Sequence, residues 1–182
     1  MFRPQGTNRR ISARAMTKTL KPKIIIVNED DEIINHKNRS ELKDGDIYRV
    51  SALWITNSRG EILLAKRCRT NHHHHPGKWM PAVAGTVEEG ETYEENIIKE
   101  TEEELGLKNI KPLLGPKTKT DNEFHHFTQW YTLKIDRELS EFKIQEDEVG
   151  EIKWFPPDKL KKELLKHPEK FLPTMKKYFE LF

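Results

Sequence analysis

Apolar and polar residues along this chain fall into short blocks, and one stretch alone keeps a helical period for several turns. Ile24 to Val27 is a continuous apolar run that predicts a buried strand, with Asn28 to Asp31 as a turn and Glu32 to Asn35 as its hairpin partner. Ser40 to Gly45 is polar connection. Tyr48 to Thr56 predicts a second strand, Asn57 to Gly60 a tight turn, and Glu61 to Lys66 the returning strand. A loop over Arg67 to Lys78 leads to Trp79 to Val87, which reads as one strand. Ile110 to Lys119 is extended, Phe124 to Ile135 a long strand and Glu151 to Phe155 the last one. Pro156-Pro157-Asp158 opens a helical region carrying Leu160, Leu164 and Leu165. His167-Pro168 interrupts it, and a second helix from Pro173 carries Met175, Tyr178, Phe179 and Phe182, aromatics expected to close the core.

The helical stretch lies between Thr92 and Gly106. Thr92 with Glu95 three residues on is a capping box, and Gly106 supplies a left-handed stop. A period of 3.6 puts Ile97, Thr101 and Leu105 on one side with Ile98 at its edge. Glu100, Glu103 and Glu104 follow at i, i+3 and i+4, so their carboxylates share a neighbouring face. Like charges crowded in this way are destabilising unless a cation joins them, and hard oxygen donors suit Mg²⁺ or Mn²⁺. A solvated acidic surface accounts equally well for an arbitrary glutamate-rich helix. The fixed distance to Glu91 and to a Gly-containing turn sets this one apart.

Composition bounds the rest. The 182 residues suffice for one domain with a full core, and 35% hydrophobic against 34% charged residues describes a soluble globular chain. No apolar run reaches the ~20 residues of a membrane helix. The single cysteine, Cys68, excludes an internal disulfide and fits a reducing, cytoplasmic setting. Charge is uneven. Residues 1–23 hold Arg3, Arg9, Arg10, Arg14, Lys18, Lys21 and Lys23 with no acid, so the remainder is net acidic. Residues 1–22 read as a basic, flexible extension, with Met16 as an alternative start; a transit peptide or nucleic-acid arm is the competing reading.

Gly85, five residues, Glu91, seven residues, then Lys99-Glu100-Thr101-x-Glu103-Glu104-x-Gly106-Leu107 resembles the Nudix box. The family pattern is Gly-x5-Glu-x7-Arg-Glu-U-x-Glu-Glu-x-Gly-U, with U a bulky aliphatic residue. Lys99 stands in place of the arginine and Thr101 in place of an aliphatic residue. The resemblance implies an α+β fold, a mixed sheet with helices on both faces, over residues 23–182. It implies Glu100, Glu103 and Glu104 as metal ligands and catalytic residues, with the Gly85 carbonyl near the metal. Glu91 and Lys99 are then an ion pair clamping loop to helix. Lysine keeps the charge but lacks the planar two-point contact of arginine.

The strand framework, the Pro-Gly-x-Trp before the box and the run from Gln145 to Phe155 resemble a bacterial Nudix branch related to isopentenyl-diphosphate isomerase. That branch's isomerases use a thiol and histidines. Here Ala84 stands near the thiol position, Thr86 and Tyr48 where histidines belong, and Cys68 in another loop. Isomerisation is therefore not expected. Glu123, just before a long strand, is a candidate extra ligand. Glu146 and Glu148 occupy the loop from which several Nudix hydrolases take a general base, and Glu148 is the candidate. Arg67 and Arg69, beside Lys66, are candidate phosphate clamps, with plain surface charge equally consistent. His72 to His75 form a loop flanking the cleft or, less directly, contact phosphate or base.

The expected activity is Mg²⁺-dependent hydrolysis of a diphosphate linkage in a nucleoside diphosphate derivative or similar organic diphosphate. The partner is that small molecule, with no membrane and no nucleic acid, and a homodimer is compatible. A binding or regulatory protein on the same fold is the rival class, resting on Lys99 and Thr101.

Overall fold

The computed structural model describes residues 22–69, 74–121 and 124–182. Its strands form one nine-stranded mixed sheet organised around β3 (Ile47–Thr56). Along one edge β3 meets, in turn and all antiparallel, β1 (Ile24–Val27), β6 (Val83–Thr86) and β4 (Ile62–Arg67). Along the other it runs parallel to β8 (His125–Lys134), from Tyr48↔His126 to Thr56↔Lys134. The sheet extends outward through β2 (Ile33–Lys37) on β1, β7 (Leu113–Asp121) on β8, and both β5 (Trp79–Pro81) and β9 (Val149–Phe155) on β4.

Two apolar layers follow from strand alternation. Leu53, Ile55, Leu63, Val83 and Tyr131 face Ile97 and Leu105 of α1 (Tyr93–Leu105). Ala52, Trp54, Leu64 and Trp130 face Leu160 and Leu164 of α2 (Pro157–Lys166) and Met175 of α3 (Met175–Phe179). The sheet is thus covered by helices on both faces, as an α+β fold. Phe182 closes the second layer by stacking on Trp54 at 5.1 Å between centroids.

The sequence expectation differs from the structure at Trp79 to Val87, where one strand was expected and two form. β5 pairs with β4 as far as Pro81, and β6 pairs with β3 from Val83. Pro81 has no N–H to continue the ladder, so the chain changes partner there. The switch delivers Gly85 to the sheet centre, opposite Ser51.

The β1–β2 turn is fastened to the rest by Asp31. Its carboxylate accepts hydrogen bonds from Arg49 Nε at 2.7 Å, Lys117 Nζ at 2.5 Å and the Tyr93 hydroxyl at 3.0 Å. Although burial opposes it, these donors hold Asp31 below the usual carboxylate range. β3, β7 and the start of α1 are thereby tied to one point.

Candidate active site

The helix forms where its caps predict. Thr92 Oγ1 accepts the Glu95 N–H at 3.2 Å, and the Glu95 carboxylate accepts the Thr92 N–H at 2.8 Å. Gly106 takes φ +68° at the other end. Fixed at both ends, α1 lies on β3 and β6 through Ile97 and Leu105, which are fully buried. The approach is closest at Gly85. A Cβ there would stand 2.4 Å from Glu100 Cγ, so only glycine lets Glu100 lie on the strand.

A buried residue outside the sequence reading holds this contact. Asn96, fully enclosed, accepts from Ser51 Oγ at 2.5 Å, and its amide donates to Glu91 at 2.8 Å and to the Thr86 carbonyl at 3.2 Å. It joins strand, loop and helix beneath the acidic face. An asparagine immediately before an apolar stripe position was the available signal.

Lys99 lies among carboxylates. Its Nζ stands 2.6 Å from Glu91, 2.9 Å from Glu88 and 3.8 Å from Glu100. Burial works against the ammonium, yet bonds to Glu91 and Glu88 hold it above the ordinary lysine range. Glu91, partly desolvated, is held below the usual range by Lys99, the Glu88 N–H and Asn96. Thr101 is fully buried and donates its hydroxyl to the Ile97 carbonyl at 2.6 Å, so its polarity is satisfied inside the helix.

Farther along the helix the compensation is weaker: Glu100 has only the more distant Lys99 and a long 3.4 Å bond from the Asn96 amide. Burial pushes Glu100 up to about 7 against the pull of Lys99, with Glu103 and Glu148 adding to the rise. Glu104 is 7% exposed and pushed well above the ordinary range by burial, then by Glu100 and Glu148, with Arg67 as partial relief. Glu103 is exposed. The loop bearing Glu148 is fastened to α1 by Gln145 N–H to the Glu104 carbonyl at 3.1 Å, and to the end of β4 by Cys68 N–H to the Glu148 carbonyl at 2.9 Å. Glu104 and Glu148 line a small cavity of ≈ 40 Å³ with Arg67 and Ala84. Glu146, in the same loop, points to solvent.

Arg67, Ala84 and Met80 also border a larger cleft of ≈ 400 Å³ on the α3 face, which reaches Gly85. Its walls include Tyr48, His126 and Trp130 from β3 and β8, Tyr178 from α3, and His74 and His75 from the loop before β5. Arg67 Nη1 donates to the His74 carbonyl at 2.6 Å. Arg69 is elsewhere: it lines a separate basic hollow with Lys66, Lys78 and Lys170. The structure thus parts the two arginines that the sequence grouped. Glu123, His72 and His73 lie outside the described residues.

The donor set suits a hard divalent cation: it offers oxygen donors only, mutually repelling, with Glu100 and Glu104 desolvated and Glu103 open to water. Among the described residues, no three carboxylates or imidazoles already stand in a ligating arrangement. Glu100 lies toward Lys99 and Glu103 toward water, as mutually repelling like charges should.

The NUDIX domain family model matches residues 47–175, and the chain belongs to the Nudix family. It is 27% identical over 151 residues to the uncharacterized Nudix hydrolase lmo0368 of Listeria monocytogenes, covering 81% of this chain and 86% of that one. Among solved structures, DR0079 from Deinococcus radiodurans superposes with a TM-score of 0.73 at 22% identity, covering 87% of this chain and 97% of that one. The Nudix domain of Shewanella oneidensis NrtR, complexed with ADP ribose, gives 0.54 at 16% identity over 69% of this chain and 81% of that one.

Proposed function

We propose that this protein is a divalent-metal-dependent Nudix hydrolase that cleaves a diphosphate linkage in a nucleoside diphosphate derivative or a similar organic diphosphate. The observation that carries the reading is the desolvated acid cluster, Glu100 and Glu104 with Glu148 beside Arg67, at the edge of the cleft. Glu100, Glu103, Glu104 and the Gly85 carbonyl would hold Mg²⁺ or Mn²⁺, which when bound neutralises phosphate charge and lowers the pKa of an attacking water. Glu148 would serve as the general base, a role supported by its lining the same cavity as Glu104. Arg67 offers a fixed guanidinium to a phosphate at the border of cavity and cleft. Lys99 and Glu91 brace the loop so that Glu100 keeps its place over Gly85. The NrtR domain's ADP ribose, a nucleoside diphosphate derivative, is of the substrate class proposed.

Within the family, the strand framework and the Gln145 to Phe155 run favour the branch beside isopentenyl-diphosphate isomerase, without its chemistry. Ala84 lines the cleft where a thiol would be needed, and Cys68 follows the end of β4. The two departures that favour a merely binding protein are both accommodated, Lys99 by its carboxylates and Thr101 by its bond to Ile97. A catalytic body from residue 23 onward and a cytoplasmic location complete the reading. Phosphate-release assays on a panel of nucleoside diphosphate derivatives, with Mg²⁺ and with EDTA, test it. Turnover that needs the metal is expected; turnover indifferent to EDTA, or none on any substrate, overturns it.

A further inference from the structure

The cleft face carries groups that cleavage of a diphosphate does not need. Tyr48 and His126 stand opposite each other on the parallel pair β3/β8, and their rings stack with centroids 5.4 Å apart. Trp130 follows on the same face, and Tyr178 meets it edge-on at 4.7 Å from α3. The Tyr178 hydroxyl is held between Thr174 and Thr120, so this wall is fixed to β7. Arg67 and Arg39 also border the cleft. The lining therefore combines cations, near the acidic helix in the case of Arg67, with several aromatic rings.

One polar atom in this lining is unmatched. Nδ1 of His126 is closed to water and has no hydrogen-bond partner, the one buried side-chain nitrogen or oxygen among the described residues of which this holds. Burial pushes the imidazole down to about 4, against a weaker pull from Asp121, so the ring is neutral at physiological pH. A neutral imidazole offers one donor and one acceptor. Folds rarely leave such a group unpaired, because the lost solvation is not recovered. A turn of the ring about Cβ–Cγ can present a nitrogen to the cleft it lines.

Resting on the hydrolase reading above, with a nucleoside diphosphate derivative as the substrate, we propose that His126, backed by Tyr48, is the specificity-determining residue of this cleft and hydrogen-bonds the edge of the base. A base brings both a flat face for the rings and an edge that pairs with the imidazole. An alkyl diphosphate would fill the cleft and leave the nitrogen orphaned, and a site with an unpaired buried polar group discriminates against such a ligand.

The test separates this proposal from the hydrolase reading by measuring binding without metal. Adenosine, guanosine, cytidine and uridine are titrated into the full chain in EDTA, followed by NMR or calorimetry. At least one should bind, His126→Phe should weaken it on the order of tenfold, and His126→Gln should restore part of the loss. In turnover the His126→Phe loss should fall on KM rather than kcat. Its melting temperature should be equal or higher, because an apolar ring replaces an orphaned polar one. If no nucleoside binds while isopentenyl diphosphate does, the base assignment is wrong and the hydrolase reading stands. If His126→Phe binds like the wild type, or melts lower with kcat and KM both impaired, His126 is structural and the proposal falls. Nucleoside binding that survives alongside absent Mg²⁺-dependent turnover would strike the hydrolase reading and leave this one.

Discussion

Glu91, just before one helix, and Glu104, in its last turn, are thirteen residues apart in sequence, and their carboxylates live in opposite electrostatic settings. Glu91 has Lys99 at 2.6 Å, the Asn96 amide at 2.8 Å and the Glu88 N–H at 3.1 Å, and is held ionised. Glu104 is more deeply buried, faces Glu100 and Glu148, and has only Arg67 as electrostatic relief. Paired charges of the first kind fix geometry. Unpaired desolvated charges of the second kind lower stability, and a structure keeps them where a cation or a reaction uses them. The ion-paired glutamate and the proposed reactive cluster are thus separable by environment although both are built from the same residue type.

The sharpest way to break this contrast is Glu104→Gln. Turnover should fall by about a hundredfold or more, the order expected when a catalytic group is displaced or lost. Melting should hold or rise by a few degrees, since the costly charge is gone. A loss of activity accompanied by a collapse in melting temperature would make Glu104 structural instead.

Metal should come next. At about a hundred times its dissociation constant, Mg²⁺ stabilises by about 2.7 kcal/mol, or roughly 5–10 °C for a domain of this size. Calorimetry of the wild type should show that rise, and Glu104→Gln should show little of it. In EDTA the pH dependence has a definite sign. Glu100 is raised to about 7 in the folded protein, so its contribution is present below about 4.5 and lost as pH climbs through 7. Glu91 is lowered, so its contribution is present above about 4.5 and lost as pH falls through its folded value. The metal-free melting temperature should therefore rise from about pH 8 to about pH 5 and fall again in stronger acid. A flat profile would mean that Glu100 is not desolvated.

The brace should give a smaller effect. Lys99→Ala is expected to slow turnover by roughly tenfold to a hundredfold, while Lys99→Arg preserves or raises it. Glu91→Ala should be milder than Lys99→Ala, because Glu88 still holds the ammonium at 2.9 Å. The double variant should be little worse than Lys99→Ala; additive losses in that cycle would separate the two residues. Smallest of all is removal of residues 1–17, whose basic, acid-free sequence has no apolar pattern to bury. Turnover and melting should both stay within error, and a drop of many degrees would show that this stretch supports the body.

Local chemistry was legible in the chain. Thr92, Glu95 and Gly106 bound the helix because capping is settled within four residues, and the 3.6 period named Ile97 and Leu105 as its buried side. The run Ile24 to Val27 matched its strand residue for residue. Pro81 could have warned that Trp79 to Val87 would divide, since a missing N–H is visible in sequence; which strand each half would join was not.

Everything that depends on distance along the chain waited for the fold. Sequence spacing put Glu100, Glu103 and Glu104 on one face but could not say that Glu104 is enclosed while Glu103 meets water, because that depends on the Gln145 to Glu148 loop closing over it. Arg67 and Arg69 look equivalent on paper. The end of β4 sends one to the cleft and the other to the basic hollow. Lys99 gained a second carboxylate, Glu88, and Asn96 became the hub under the acidic face, through contacts made only when helix, loop and sheet meet. The helix, its caps and its acidic face could be read from the chain because they are consequences of short-range sterics and periodicity, whereas the close approach of Glu100 to Gly85 appeared only when helix and sheet packed. Tertiary structure alone decided which carboxylates lose their water and which keep a counter-charge, because desolvation and Coulomb energy depend on neighbours brought together from distant parts of the chain.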